Sequence, residues 1–241
     1  MGGRDRADRR KEILSAAAQA GPEPTLLLAV RDDALAGLVA LLAEAAPDLP
    51  RGTAVLHHSG ALGAGLLAPL EKQGLPTGSC HPLQTFTGSP ADATRFEGIT
   101  FAIDGAGAGL AAARRLALAL GGRPVIIESR HRALYHLAAS LGANGLTGLV
   151  AASRDALTGA GVAPGEALAA LAPLLRSALE EALERGPEAA LTGPVARGDA
   201  TTLERHRRAL LAWDASRASL LDALVREQRR LAERGPDGTE C

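Results

Sequence analysis

Short apolar runs alternate with longer amphipathic stretches over the first half of the chain. Runs rich in apolar or small residues predict five β-strands, at 24–30, 53–57, 76–81, 99–103 and 124–128. The stretches between them predict a helix capped by Asp32 or Asp33 that runs to about 46, and further helices over about 63–73 and about 107–120. Strands that alternate with helices of this length are typical of βαβ units and a parallel sheet covered on both faces.

From residue 129 onward the pattern is helical throughout. It predicts one helix over about 130–159, interrupted near 142–145, and a second over about 164–185. A third is predicted from Thr201 or Thr202 to about 233, with Thr201 and Glu204 spaced as a capping box. We therefore expect an α/β fold with a sheet domain at 1–129 followed by an all-α domain at 130–241.

Composition places the chain among soluble globular proteins. It has 241 residues, of which 46% are hydrophobic and 22% charged, with a net charge of -1. The balanced charge argues against a nucleic-acid binder, and no apolar run reaches the roughly 18 residues of a membrane span. No secretory signal pattern is present, so we expect the chain to be cytoplasmic. Two cysteines without a CxxC pair exclude a disulfide framework and a zinc ribbon.

Polar residues follow three of the predicted strands directly. Ligands bind parallel sheets beyond the carboxyl ends of the strands, so these segments are candidate site loops. Each residue taken singly is as often a capping or turn residue, but their concentration at strand ends favours a site. The segments are Arg31-Asp32-Asp33, His57-His58-Ser59-Gly60 and His81-Pro82-Leu83-Gln84-Thr85-Phe86.

Uncharged polar residues also share one face of the first predicted C-terminal helix. His136, Ser140 and Asn144 stand four residues apart, and Tyr135 lies one residue off that face. The alternative is a plain solvent face that lacks charges. Because Lys, Glu and Arg normally populate such a face, we favour a cleft lining.

Several motifs favour ordinary structure over chemistry. The glycine-rich run 105–109 follows a strand, but its third glycine is one position early for G-x-G-x-x-G, so we interpret it mainly as a strand–helix link. His57, His58 and His81 lack a metal-ligand spacing, so we expect no metal, and Ser59 lacks the preceding glycine of a nucleophile elbow. Arg197, in the loop 191–199, is either an anion contact or a solvent arginine.

Five segments together resemble, in order, those of a two-domain family. These segments are LLLAVRDD (26–33), HHSGAL (57–62), HPLQTF (81–86), RALYH (132–136) with Asn144, and LTGPVARGD (191–199). The family joins a Rossmann-like domain to an α-helical domain of unknown function 2520, and its members are described as NAD(P)-dependent oxidoreductases. The wider superfamily includes pyrroline-5-carboxylate reductase and the β-hydroxyacid dehydrogenases, whose helical domains form much of a dimer interface.

The chain departs from that resemblance at two places. Such proteins begin with a strand, a G-x-G-x-x-G turn, a helix and a second strand, whereas residues 3–8 here resemble the segment after that second strand. We therefore expect an incomplete Rossmann-like sheet with a truncated N-terminus. Ser140 stands where β-hydroxyacid dehydrogenases carry a catalytic lysine, four residues before Asn144, so that lysine role is not carried over.

The resemblance implies an NAD or NADP cofactor and a small carbonyl, imine or hydroxy-acid substrate, in a homodimer. We expect His81 or His136, with an ordinary histidine pKa near 6.5, as the acid–base group and Asn144 as the group that orients substrate. Two alternatives stay open: a non-enzymatic dimeric protein that binds a metabolite in the same cleft, and an inactive fragment. The expected nicotinamide contacts are Ala29, Val30, Arg31, His58, Ser59 and Gly60, and the expected substrate contacts are Gln84, Tyr135, Ser140 and Arg197.

Overall fold

The computed structural model describes residues 11–15, which are helical, and residues 24–235. The opening segment 3–8 lies outside the described residues. Contacts between Cα atoms divide the chain into two compact units, Met1–Gly145 and Leu146–Cys241. Over the described residues, the strands all belong to the first unit, and the second unit is helical.

A five-stranded sheet forms the centre of the first unit, in the order β1-β2-β3-β4-β5. Each predicted strand is present, and the α/β fold class is confirmed. The bounds are β1 Thr25–Leu28, β2 Ala54–His57, β3 Thr77–Pro82, β4 Thr100–Gly105 and β5 Arg123–Ile126.

One strand pair differs from the predicted parallel arrangement. β1, β2 and β3 run parallel, as do β4 and β5, but β3 and β4 are antiparallel, with Cys80 opposite Ile103. A parallel pair needs a crossover, usually through an α-helix. Residues 83–99 contain only the 3₁₀ segment Pro90–Phe96, and the Leu83 N–H donates to the Thr100 carbonyl at 2.8 Å. The chain therefore turns back at the edge where β3 ends.

Helices cover both faces of this sheet. Alternate β2 side chains face opposite sides of the sheet, so Val55 packs with helix α1 (Asp32–Ala45) and Leu56 packs with helix α3 (Gly107–Ala119) in two separate clusters. One cluster consists of Leu28, Leu35, Val39, Leu42, Ala46, Val55, Leu67 and Leu70; the other consists of Ala54, Leu56, Cys80, Phe101, Ile103, Ala112, Ala113 and Ala117. The helices are α1 Asp32–Ala45, α2 Ala68–Glu71, α3 Gly107–Ala119 and α4 Arg132–Ser140.

The start of α1 differs from the prediction. The N-cap is Arg31, whose side chain makes no capping bond, and Asp32 and Asp33 occupy the first turn. Carboxylates there still stabilise the helix through its dipole. The Asp32 carboxylate instead accepts a hydrogen bond from the Ser59 hydroxyl, which is distant in sequence, so it does not cap the helix as predicted.

The predicted interruption of the helix after α4 is confirmed. Leu141–Gly145 forms a π-helical segment, which contains Gly142 and Gly145. A π turn bonds each residue to the fifth one along and often marks a functional site. Here the segment contains Asn144.

The second unit consists of six helices over its described residues: α5 Leu146–Gly159, α6 Pro164–Arg185, α7 Pro187–Ala190, α8 Gly193–Ala196, α9 Ala200–Asp214 and α10 Ala218–Arg234. The long third helix was predicted wrongly. A 3₁₀ turn at Ala215–Arg217 divides it, because the Asp214 carboxylate accepts from the Ser216 N–H at 3.1 Å and pairs with Arg217 at 2.9 Å.

The predicted capping box at the start of α9 is also wrong. Asp199 is the N-cap, and its carboxylate accepts from the Thr202 N–H at 3.0 Å. An aspartate two positions earlier thus supplies the capping oxygen that the pattern assigned to Thr201. Among the described helices of both units, none is long and apolar enough to cross a membrane.

Candidate functional site

The loops after β1 and β2 are joined at one edge of the sheet. The Ser59 hydroxyl donates to the Asp32 carboxylate at 2.9 Å and accepts from the Leu62 N–H at 3.0 Å. His57 is fully buried, and its Nε2 bonds the Gly63 carbonyl at 3.1 Å while Nδ1 accepts from the Ser59 N–H at 3.2 Å. Both ring nitrogens are thus used inside the loop, so His57 holds the loop in shape.

His58 connects this loop to the end of β3. Its Nδ1 donates to the Cys80 carbonyl, and its ring is half-buried. Ala29, Val30 and Arg31 are exposed at the end of β1, and Arg31 pairs with Asp33 at 3.0 Å. The predicted nicotinamide contacts therefore lie on adjacent loops at the carboxyl edge of β1 and β2.

A cavity of about 510 Å³ lies between the end of β3 and α4 with its π-helical segment. None of its lining side chains is an Asp, Glu, Lys or Arg among the residues described. The side chains predicted from the strand end and those predicted from the helix face thus line one cavity. The lining residues are His81, Leu83, Gln84, Thr85, Tyr135, His136, Ala138, Ala139, Ser140, Gly142, Ala143 and Asn144.

Three rings stand together at one end of the cavity. The Tyr135 hydroxyl lies 2.8 Å from His81 Nδ1, and the two rings meet edge to face at 5.6 Å. The His136 ring lies 6.2 Å from that of His81. A Cβ on Gly60 would lie 2.7 Å from His136 Cδ2 and 2.7 Å from His81 Nε2. Gly60 therefore lies too close to the two histidine rings for any side chain to fit, and it connects the loop after β2 to the cavity.

The close fit at Gly60 makes this position sensitive to a single methyl group. In Gly60→Ala, both histidine rings have to shift by several tenths of an ångström, and we expect ligand affinity in the cavity to fall at least about tenfold, roughly 1.4 kcal/mol. Gly65→Ala is the matched control, because a Cβ there meets no atom within 4 Å. Titrations of both variants with the same ligand, followed by NMR, measure the effect; equal affinities would contradict it.

Burial and charge change the acid–base state of the site. The pKa of His81 is lowered to about 4, first by burial and then by the charge of Arg132. Burial also lowers the pKa of His57 and of His58, and it raises the pKa of Tyr135 to about 12. The expectation of an ordinary pKa for His81 is therefore not met. At neutral pH His81 is an uncharged imidazole and Tyr135 an uncharged phenol.

These lowered values predict that acid destabilises the chain. Unfolded His81 binds its proton at about pH 6.5, but the folded chain binds it only at about pH 4, so the unfolded state takes up more protons between these values. The free energy of unfolding should be full above pH 6.5 and fall towards pH 4, by at most about 1.4 kcal/mol per pH unit for His81 and less after solvent screening. The free energy of unfolding, measured with urea across this range, should fall less steeply with decreasing pH in His81→Gln than in the wild type. Equal slopes in the two proteins would refute the lowered pKa of His81.

Two residues of this region were not among the predicted site residues. Arg132 is fully buried, and its Nη2 donates to the Ser79 hydroxyl and to the Ala102 carbonyl. Asp104 accepts from the Ala64 N–H at 3.0 Å and from the Ser129 hydroxyl at 2.5 Å. A carboxylate at the end of a buried apolar strand was the available sign for Asp104. For Arg132 the available sign was its place at the start of the segment RALYH, which carries part of the family resemblance.

The glycine-rich run after β4 lies at the other edge of the sheet. Because β4 is antiparallel to β3, Gly105 stands opposite Gly78 near the start of β3. A Cβ on Gly109 would collide with the backbone of Thr77, at 2.6 Å from its carbonyl carbon. This run therefore allows α3 to pack closely on β3, as a strand–helix link does. In the part of the chain that the structure describes, no group of three or more His, Cys, Asp or Glu side chains is arranged to hold a metal.

Arg197 belongs to the second unit, at the C-cap of α8. Its predicted contact with substrate stays a prediction.

Comparison with known proteins agrees with this architecture. The profile of DUF2520, a domain of unknown function, matches residues 99–228, and that of a Rossmann-like domain matches residues 2–82. No curated protein matches the chain.

Solved structures show the same fold at low sequence identity. Protein TM1727 from Thermotoga maritima is 24% identical with a TM-score of 0.70, over 94% of this chain and 87% of that one. BF3122 from Bacteroides fragilis, provisionally named an NADP oxidoreductase, is 23% identical with a TM-score of 0.67, over 89% and 78%. A Plasmodium falciparum pyrroline carboxylate reductase with NADP bound is 11% identical with a TM-score of 0.55, over 86% and 77%. The DUF2520 match covers more than half of this chain and follows the Rossmann-like match. The chain therefore belongs to the family that joins these two domains.

Proposed function

We propose that this protein is an NAD(P)-dependent oxidoreductase that transfers hydride to or from a small carbonyl, imine or hydroxy-acid substrate. The observation that carries the proposal is the cavity of about 510 Å³, lined by His81 and Asn144, which adjoins the edge loops at Gly60. Similar folds in an NADP-bound pyrroline carboxylate reductase and in a reductive aminase from Aspergillus terreus in complex with NADPH4 support the same class of chemistry.

The edge of the sheet fits the nicotinamide end of such a cofactor. Ala29 and Val30 offer an exposed apolar surface, and Gly60 leaves no side chain between the loop after β2 and the rings of His81 and His136. Bound there, a nicotinamide would supply or accept the hydride. Within residues 24–235, no G-x-G-x-x-G turn stands at this edge, so we assign no residue to the pyrophosphate.

The cavity supplies groups for a small polar substrate. We assign Asn144 and Ser140 to substrate orientation, with Gln84 and Tyr135 as further contacts, and His81 and His136 to the reacting oxygen or nitrogen. Because the described lining has no Asp, Glu, Lys or Arg side chain, recognition depends on hydrogen bonds and shape.

We also propose a homodimer that forms through the helical unit. Four leucines on α6 have between 43% and 76% of their surface exposed, which is unusual for a helix of a monomer. They are Leu168, Leu174, Leu179 and Leu183. Sedimentation velocity over a range of protein concentrations tests this part, and a monomer at all concentrations would refute it.

Nucleotide binding by the full chain tests the proposed function. We expect saturable changes in NADPH or NADH fluorescence, together with nucleotide oxidation in the presence of a ketone, a cyclic imine or a 2-oxo acid. If the protein binds one of these small compounds but binds neither NADPH nor NADH, the non-enzymatic alternative is favoured. No binding of nucleotide under any condition would overturn the proposal.

A further inference from the structure

We propose that Tyr135 and Arg132 are positioning residues that hold His81 as a neutral imidazole with its proton on Nε2, so that this N–H donates a hydrogen bond to the oxygen of a bound carbonyl compound. The identity of the ligand rests on the proposed oxidoreductase function, whereas the state of the imidazole follows from the geometry of the first unit. This arrangement favours a carbonyl over an imine: the neutral N–H stabilises the oxygen that gains negative charge as hydride arrives, and solvent water then supplies the proton of the alcohol, whereas an imine nitrogen accepts hydride only after it has been protonated.

Tyr135 determines which ring nitrogen carries the proton. Its hydroxyl lies 2.8 Å from His81 Nδ1. A phenol is a better proton donor than a neutral imidazole N–H, and an imidazole nitrogen accepts more strongly than a phenol oxygen. The Tyr135 hydroxyl therefore donates to Nδ1, which leaves the imidazole proton on Nε2.

The Nε2 atom is left available for a ligand. Among the residues that the structure describes, none forms a hydrogen bond to it, and it adjoins Gly60, at the junction of the edge loops and the cavity. Polar groups in partly buried positions are normally hydrogen-bonded, so an Nε2–H of His81 without a protein partner can donate to a bound ligand. The carbonyl oxygen of a ligand in the cavity is such an acceptor.

Burial does most to keep the imidazole neutral, and the charge of Arg132 adds to it. Its side chain is 0% exposed, and Nε and Nη1 have no hydrogen-bond partner within the described part of the chain. Its guanidinium carbon lies 5.8 Å from the centre of the Tyr135 ring. A buried, permanently charged guanidinium behind the rings opposes a second positive charge on His81.

The other groups that face His81 reinforce this effect or are occupied. His58 at the end of β2 and His136 on α4 both oppose protonation of His81, and Tyr135 is uncharged. Asp32 on α1 favours protonation, but its carboxylate already accepts from Ser59. Among these groups the balance favours the neutral ring.

NMR of the full chain with ¹⁵N-labelled histidine tests the proposal, with His81→Gln to assign the signals. At neutral pH we expect a protonated Nε2 and a bare Nδ1 for His81, and titration near pH 4. Tyr135→Phe should redistribute the proton between the two nitrogens. Arg132→Met should raise the titration midpoint measurably from about 4 towards 6.5, whereas an unchanged midpoint would contradict the role of Arg132. Arg130→Met is the control, since Arg130 is exposed and pairs with Glu128.

Three outcomes would overturn the inference: a proton on Nδ1 of His81 in the wild type, titration of His81 near pH 6.5, or an unchanged tautomer in Tyr135→Phe. The Tyr135→Phe result decides the question even if Arg132→Met does not fold. Cyclohexanone serves as the carbonyl probe and should shift the Nε2 proton signal in the wild type; an unmoved signal would overturn the assignment of the ligand oxygen. NADPH titration of the same sample is separate, because its failure refutes the proposed function and leaves the imidazole result intact.

Discussion

His81→Ala is expected to lower kcat for NADPH-dependent carbonyl reduction by about 100-fold or more, with a smaller change in KM. Loss of one hydrogen bond to an oxygen that gains negative charge in the transition state costs about 10² to 10³ in rate. Because we propose that Nε2 of His81 donates this hydrogen bond, we expect its removal to affect the reacting state more than ground-state binding. Steady-state kinetics of wild type and variant measure the effect.

His81→Gln distinguishes a neutral donor from an acid. The glutamine amide places an uncharged N–H near the position of Nε2, so we expect it to stay within about tenfold of the wild type. His206→Gln is the matched control, because His206 is exposed on α9 in the helical unit and should leave kcat unchanged. If His81→Gln is as inactive as His81→Ala, the ring acts as a proton donor and the hydrogen-bond role is wrong.

The pH profile of the wild type gives a second, independent criterion. A histidine that donates a proton loses activity as the pH rises through its pKa, whereas a neutral donor is active above it. With the pKa of His81 at about 4, we expect kcat to stay level from pH 6 to pH 8. A steep loss across that range would contradict the neutral state.

Gly109→Ala is expected to destabilise the sheet unit by about 3 kcal/mol. The added Cβ would lie 2.6 Å from the Thr77 carbonyl carbon, and backbone yields less readily than the end of a side chain. α3 therefore has to move away from β3, which opens the cluster around Phe101 and Ala113. Urea unfolding followed by circular dichroism measures the loss.

Gly37→Ala is the matched control for this substitution. Gly37 lies exposed within α1, and a Cβ there meets no atom within 4 Å. The alanine should stabilise the chain by about 0.5–1 kcal/mol through helix propensity, the opposite sign to Gly109→Ala. If Gly109→Ala leaves the free energy of unfolding unchanged, or lowers only nucleotide affinity, the run 105–109 is better interpreted as a phosphate-binding loop.

Local patterns were sufficient for elements whose partners are close in sequence. Strand β2 was predictable because its run of apolar residues needs burial on both faces, and the break at 141–145 because glycines weaken a helix there. The turn at Ala215–Arg217 was not predictable from the apolar stripe. It depends on the Asp214 carboxylate and on a bond from Arg217 to Asp155, which is distant in sequence, at 2.7 Å.

The candidate site shows the same division. The strand-end rule brought His58, Ser59 and His81 to one edge, and helical spacing placed His136 and Asn144 on one face. That both groups line or adjoin one cavity depends on how α4 packs against β3, which no local pattern specifies. The buried position of Arg132 depends on the same packing.

The amino-acid order alone determined the five strands, the helical second half, the family and the candidate site side chains, because each follows from periodicity or from residue type at a fixed spacing. Tertiary structure alone decided the antiparallel β3–β4 pair, the burial of Arg132 and the lowered pKa of His81. The physical reason is range: hydrophobic periodicity acts over a few residues, whereas burial and electrostatic fields arise between segments about 50 residues apart, such as His81 and Arg132.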